Sequence, residues 1–102
     1  MELKRVVITG LGALSALGNS TQDYWDSLAK GVSGAGHITR FDASKFKTQF
    51  ACEVKNFDPK EWFDRKQLKK LDLYSQFALV AADEAVKDAN FDFDKLDFDR
   101  MG

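Results

Sequence analysis

The two side chains best suited to nucleophilic chemistry each occur once, Cys52 and His37. Together they raise the question of a cysteine–histidine dyad, in which a thiolate attacks an acyl group and the imidazole manages the proton. A reactive thiolate needs a cationic neighbour or a helix N-terminus. Cys52 instead lies between Ala51 and Glu53 in a segment that alternates like a strand, and the adjacent carboxylate disfavours a thiolate. Cys52 therefore reads as a small apolar residue of a sheet, and His37, among glycines, as a solvated loop residue. Metal binding requires clustered ligands, and the sequence has none. Thr9-Gly10-Leu11-Gly12 after an apolar segment invites a dinucleotide-binding interpretation, but the third glycine of that fingerprint is replaced by Ser15. Gly10 and Gly12 are read as turn-formers.

The remaining group is basic. Arg65, Lys66, Lys69 and Lys70, placed on a helix at about 100° per residue, share one arc of about 140°. Such an arc suits an acidic partner surface, recognised by steering and orientation rather than by deep burial. Asp64 and Asp72 partly offset it. At the N-terminal end of a long helix the same four residues would also be joined by a macrodipole that favours anions.

The elements that must position these residues follow from periodicity. Arg5–Thr9 is β-branched and nearly all apolar, the pattern of a strand buried on both faces. Asn19-Ser20-Thr21 offers caps to a helix over about 22–30, with Gly31 as its stop and Tyr24, Trp25 and Leu28 as its buried stripe. Gly31 to Lys47 is irregular, Phe50 to Val54 reads as a short edge strand, and Asp58-Pro59 opens a short helix. A long helix is predicted from about Arg65 to Ala89. Leu71, Tyr74, Ala78, Ala81, Ala82, Ala85 and Ala89 share one broad face, whose closely spaced alanines let another backbone approach tightly. The tail from Asn90 to Gly102 alternates Phe and Asp and reads mostly as loop; no internal repeat or disordered linker stands out.

Composition narrows the function classes. The chain has 102 residues, a formal net charge of -1, 44% hydrophobic and 30% charged residues. One domain or part of one is expected, and overall charge calls for neither nucleic acid nor an anionic membrane. One cysteine excludes an internal disulfide and points to a reducing cytoplasm. The apolar stretch from Val6 to Leu17 crudely resembles a secretory signal, but Thr9, Gly10, Gly12 and Ser15 dilute it. The order β, α, irregular, β, α, α belongs to an incomplete α/β architecture.

Arg5-Val-Val-Ile-Thr-Gly-Leu-Gly-Ala-Leu-Ser15-Ala-Leu-Gly18 resembles the opening of the elongating β-ketoacyl-acyl-carrier-protein synthases of the synthase II type. Gly31-Val-Ser-Gly34, Ile38, Phe41-Asp42 and Phe50-Ala51 match the next family segments, and Arg65-Lys-Gln-Leu-Lys-Lys-Leu-Asp72, Gln76-Phe-Ala and Ala81-Ala82 continue the match. Ala16 stands where a proline is common and Leu71 where a methionine is common.

The resemblance implies a thiolase-like fold, a five-layered αβαβα arrangement of two similar halves. Residues 1–102 would be the N-terminal portion of the first half, with Met101-Gly102 where another core strand begins. The implied chemistry is a decarboxylative Claisen condensation in fatty-acid elongation. A cysteine takes the acyl chain as a thioester, two histidines assist decarboxylation of malonyl carrier protein, and backbone N–H groups hold the oxyanion. The family places that cysteine and those histidines beyond position 102, so no catalytic residue is assigned here, no cofactor is implied, and the chain alone is expected to be inactive. The implied partners are the acyl carrier protein, whose acidic helix would meet Arg65, Lys66, Lys69 and Lys70, the remainder of the synthase, and a second subunit in a homodimer. A non-catalytic subunit resembling a chain-length factor and a self-standing carrier-binding module are the alternatives.

Overall fold

A computed structural model describes all residues, Met1–Gly102. Helices dominate it: α1 (Thr21–Ala29), α2 (Arg65–Lys70) and α3 (Leu73–Ala89), with a two-stranded antiparallel ribbon of β1 (Gly36–His37) and β2 (Phe50–Ala51). Single 3₁₀ turns cover Pro59–Glu61, Phe93–Lys95 and Phe98–Arg100. No helix is long and apolar enough to cross a membrane.

The first segment departs from expectation. Arg5–Thr9 forms no strand, and Val6, Val7 and Ile8 are exposed. A strand exists through ladder bonds to a neighbour, and this chain places none beside it. Gly10 and Gly12 are not turn-formers either, since Gly31 alone among the glycines has positive φ. They lie against α3. A Cβ added at Gly12 would stand 1.8 Å from the Ala81 carbonyl oxygen, and one at Gly10 would stand 2.2 Å from that of Ala85. The narrow alanine face does receive another backbone, along Ala81, Ala85 and Ala89, which are half-buried. Tyr74, Ala78 and Ala82 of the same predicted face are exposed.

Two carboxylates of α3 pin this contact. Leu11 N–H donates to Asp88 Oδ2 at 3.0 Å and Ala13 N–H to Glu84 Oε1 at 3.3 Å. Glu84 Oε1 also accepts from Thr21 N–H at 2.8 Å and from the Thr21 hydroxyl. Thr21 is the first residue of α1, so Glu84 satisfies a donor that the helix itself leaves unpaired.

α1 has the predicted boundaries to within a residue. Ser20 caps it by accepting from Asp23 N–H at 3.2 Å. At its other end Gly31 N–H reaches Leu28 O and Val32 N–H reaches Ser27 O, with Gly31 at φ +68, a left-handed Schellman stop. The predicted buried stripe is open instead: Trp25 is 64% and Leu28 45% exposed, and Tyr24 is half-buried. No other element of the chain lies over that face.

The predicted strand Phe50–Val54 shortens to β2, because its partner β1 is only two residues long, paired Gly36 to Ala51 and His37 to Phe50. Beyond β2, Glu53 turns back to the loop after β1, accepting from Thr39 Oγ1 at 2.7 Å and Thr39 N–H at 3.1 Å. The Thr39 hydroxyl, then its N–H, and the nearby Arg40 hold the Glu53 carboxyl below the usual glutamate range. Asp58 caps the Pro59–Glu61 turn as predicted.

The single long helix is in fact two. Leu71 is extended at φ -103, ψ 121 and ends α2, and Asp72 at φ -66, ψ 160 starts α3. Gln76 Nε2 donates to the freed Leu71 carbonyl at 3.1 Å, which makes the break a built feature. Asn90 ends α3 in the left-handed region. The tail is more regular than a loop and does contain a short repetition: Asp92-Phe-Asp-Lys95 and Asp97-Phe-Asp-Arg100 each form an Asp-capped 3₁₀ turn, and Phe93 stacks on Phe98 at 6.5 Å.

Only Ala43, Gln76 and Val80 are buried, and the radius of gyration is 17.8 Å, against roughly 13 Å for a compact chain of this length. The isolated polypeptide should therefore lack a cooperative thermal transition in calorimetry; a sharp two-state transition would contradict this. In the complete protein, Gly12→Ala should lower stability by about 1–3 kcal/mol through overpacking. Gly36→Ala, at an open position, should change it by less than about 0.5 kcal/mol. Paired denaturation curves read both. Because the Glu53 value is lowered by folding, its stabilising bond is complete above the ordinary glutamate value, roughly pH 4.3, and is lost as acid passes through the lowered one. Thr39→Val should bring the Glu53 titration, followed by carboxyl-carbon NMR, back toward the ordinary range.

Candidate functional site

The basic residues sit on a helix fixed at both ends. Asp64 and Gln67 form a reciprocal capping box: Gln67 N–H donates to Asp64 Oδ1 at 2.8 Å, and Asp64 N–H donates to Gln67 Oε1 at 3.1 Å. Leu71 N–H closes the last turn on the Gln67 carbonyl at 3.0 Å. The Pro59–Glu61 turn packs beside α2.

Arg65, Lys66, Lys69 and Lys70 are all exposed. None takes part in an ion pair; the pairs in the chain are Lys87 with Asp83 at 2.7 Å and Lys95 with Asp92 at 3.7 Å. Asp64 is committed to the Gln67 N–H, so the carboxylate nearest the patch is already engaged. The patch is thus a free cationic surface on a rigid turn-and-helix unit. The helix break changes its electrostatics, however. Lys69 and Lys70 occupy the last turn of α2, not the first turn of a long helix. There they complement the negative end of the α2 dipole, and the expected support from an N-terminal dipole does not apply to them. At Lys69 and Lys70 anion affinity comes from the side chains alone, whereas Arg65 and Lys66 stand in the first turn of α2.

The other chemistry-bearing residues do not gather into a site. Cys52 is a free, exposed thiol just beyond β2, not a packed sheet residue, because the strand ends before it. His37 is exposed as expected, though within β1 and not in a loop. No three His, Cys, Asp or Glu side chains converge in a way that could hold a metal ion. The lysine most tightly held is Lys55, whose ammonium donates to the carbonyls of Gly34 at 2.9 Å, Glu53 at 3.1 Å and Ala16 at 3.2 Å, a structural role that sequence inspection missed. Lys60, also missed, joins the α2 cations through the Asp58-capped turn; its only sequence signal is its place one turn-and-cap before Arg65.

Comparison with known proteins gives the family of the chain. The family model described as "Beta-ketoacyl synthase, N-terminal domain" matches residues 3–102. The chain is 46% identical over its whole length to 3-oxoacyl-[acyl-carrier-protein] synthase 2 of Synechocystis sp., covering 24% of that protein. It is 47% identical over its whole length to the synthase of the same name from Coxiella burnetii, covering 25% of it. The chain therefore spans about a quarter of the length of these curated relatives. Among solved structures, the ishigamide ketosynthase/chain length factor superposes with a TM-score of 0.77 at 40% identity, over 88% of this chain and 22% of that one. Matched by the family model from residue 3 to residue 102, and nearly half identical throughout to these synthases, the chain belongs to the β-ketoacyl synthase family.

Proposed function

We propose that this chain is the N-terminal portion of the first half of a 3-oxoacyl-[acyl-carrier-protein] synthase with the five-layered thiolase-like fold. Its parent carries out the decarboxylative condensation of an acyl thioester with malonyl carrier protein in fatty-acid elongation. The observation that carries this reading is full-length similarity to synthases of that name, at 46–47% identity. In such a reaction a cysteine thiolate displaces the carrier thiol from the acyl group. Loss of CO₂ from the malonyl group leaves a carbanion, which attacks the acyl-cysteine and returns the thiolate. None of the groups that perform these steps lies in residues 1–102, so the contribution proposed for this chain is structural and recognitive. It supplies the glycine-on-alanine packing and presents Arg65, Lys66, Lys69 and Lys70 to the acidic surface of the acyl carrier protein. The lack of ion-pair partners for these four side chains supports the docking role. Homodimerisation belongs to the same proposal.

A second reading has one specific observation in its favour, the likeness to a ketosynthase/chain length factor structure. In it the parent would be the non-catalytic partner of such a pair. The residue at the nucleophile position downstream distinguishes the two.

Two outcomes test the proposal. In the complete protein, Lys69→Glu combined with Lys70→Glu should weaken carrier-protein binding by about tenfold or more at low salt. The deficit should shrink as salt screens the exposed charges. Unchanged affinity at low salt would contradict the docking assignment. Supplied with acyl and malonyl carrier protein, the 102-residue chain should yield no 3-oxoacyl product while the complete protein does, measured by mass spectrometry of the carrier-bound products.

A further inference from the structure

Beside the basic face of α2, the Pro59–Glu61 turn and the helix enclose an open cleft of ≈ 770 Å³ lined by Lys60, Phe63, Asp64, Arg65, Leu68 and Lys69. Its composition is unlike that of the helix surface alone. Phe63 and Leu68 are half-buried and give it an apolar wall, whereas Lys60, Arg65 and Lys69 are exposed cations without ion-pair partners. Asp64 is the one carboxylate in the lining, and it is held by the Gln67 N–H. An all-charged docking surface would need no apolar wall, and a purely apolar groove would not be ringed by three free cations.

We infer that this cleft is the specificity element of the docking surface: it receives an apolar side chain standing among carboxylates on the acidic partner, and Lys60 is a fifth docking cation. This inference rests on the carrier-docking reading above. It adds a short-range contact to a surface otherwise governed by long-range steering. Charge attraction brings the partner to α2, and the cleft rewards only a partner whose carboxylates surround an apolar side chain in the right register. Phe63 and Leu68 are held for this by the capping box and by the Asp58-capped turn, so the wall is formed before the partner arrives.

The test uses the complete protein and acyl carrier protein, with affinities measured by titration at low and high salt. Lys60→Glu should weaken binding by about threefold to tenfold at low salt, and by less at high salt. Leu68→Ala should weaken it by about threefold or more at both salt concentrations, because lost apolar contact is not screened. Lys69→Glu with Lys70→Glu serves as the reference for docking itself. If that pair weakens binding while Lys60→Glu retains the parent affinity, the cleft assignment is overturned and docking on α2 stands. If the reference pair also binds as the parent does, both fail. Lys60 is exposed and keeps the decision open should Leu68→Ala fold poorly. Amine labelling gives an independent arm. Lys60 should react in the free protein and be protected by carrier protein; a Lys60 already shielded in the free protein would mean that its own chain fills the cleft, and would overturn the proposal.

Discussion

The structure depends on a single close approach, the backbone of Gly10–Gly12 laid against Ala81, Ala85 and Ala89 of α3. A Cβ on either glycine would meet the helix backbone and hold the two apart. The approach would leave Leu11 and Ala13 N–H groups without partners, and Asp88 and Glu84 from the same helix supply them. Glu84 then extends the connection to the first residue of α1. One carboxylate of α3 thus holds both the N-terminal segment and α1, at bonding partners 71 and 63 residues away in sequence. Burial of apolar area contributes little beside this, since only three residues are buried. The polar and steric fit fixes where these segments meet without supplying a core.

The open surfaces follow from the same arrangement. Trp25 and Leu28 on α1 and Val6, Val7 and Ile8 in the first segment form apolar faces over which this chain places nothing. Such area is costly to leave in water and is the kind that further protein covers. By contrast, the ends of α2 are defined by local bonds, with a reciprocal cap at one end and a defined stop at the other. The basic helix is therefore presented by local chemistry, through its own cap and stop and the turn beside it.

Local signals were legible in the residues. Ser20 and Gly31 bound α1 where cap and stop chemistry put them, and Asp58-Pro59 opened a turn. The alanine face foretold a close-packed backbone. What misled was non-local. Arg5–Thr9 has strand composition, but a strand is a property of a pair, and the partner is not among these residues. The stripe of Tyr24, Trp25 and Leu28 was correctly amphipathic yet uncovered for the same reason. The break at Leu71-Asp72 carries no proline or glycine; it is stabilised by Gln76 reaching back five residues, a bond that periodicity does not register. Arg65, Lys66, Lys69 and Lys70 were recognisable as a patch from spacing alone, because one helical turn decides their arc. Lys60 and Leu68 required the packing of the turn on α2.

α2 is short, capped, cationic and free of ion pairs, the features on which its proposed docking role rests. The most direct measurement is zero-length carbodiimide cross-linking of the complete protein to acyl carrier protein, followed by peptide mass spectrometry, since this reagent joins lysine amines only to carboxylates in contact. Cross-links from Lys66, Lys69 and Lys70 are predicted. Cross-links confined to lysines elsewhere, such as Lys4, Lys30 or Lys45, with α2 unmodified, would contradict the assignment.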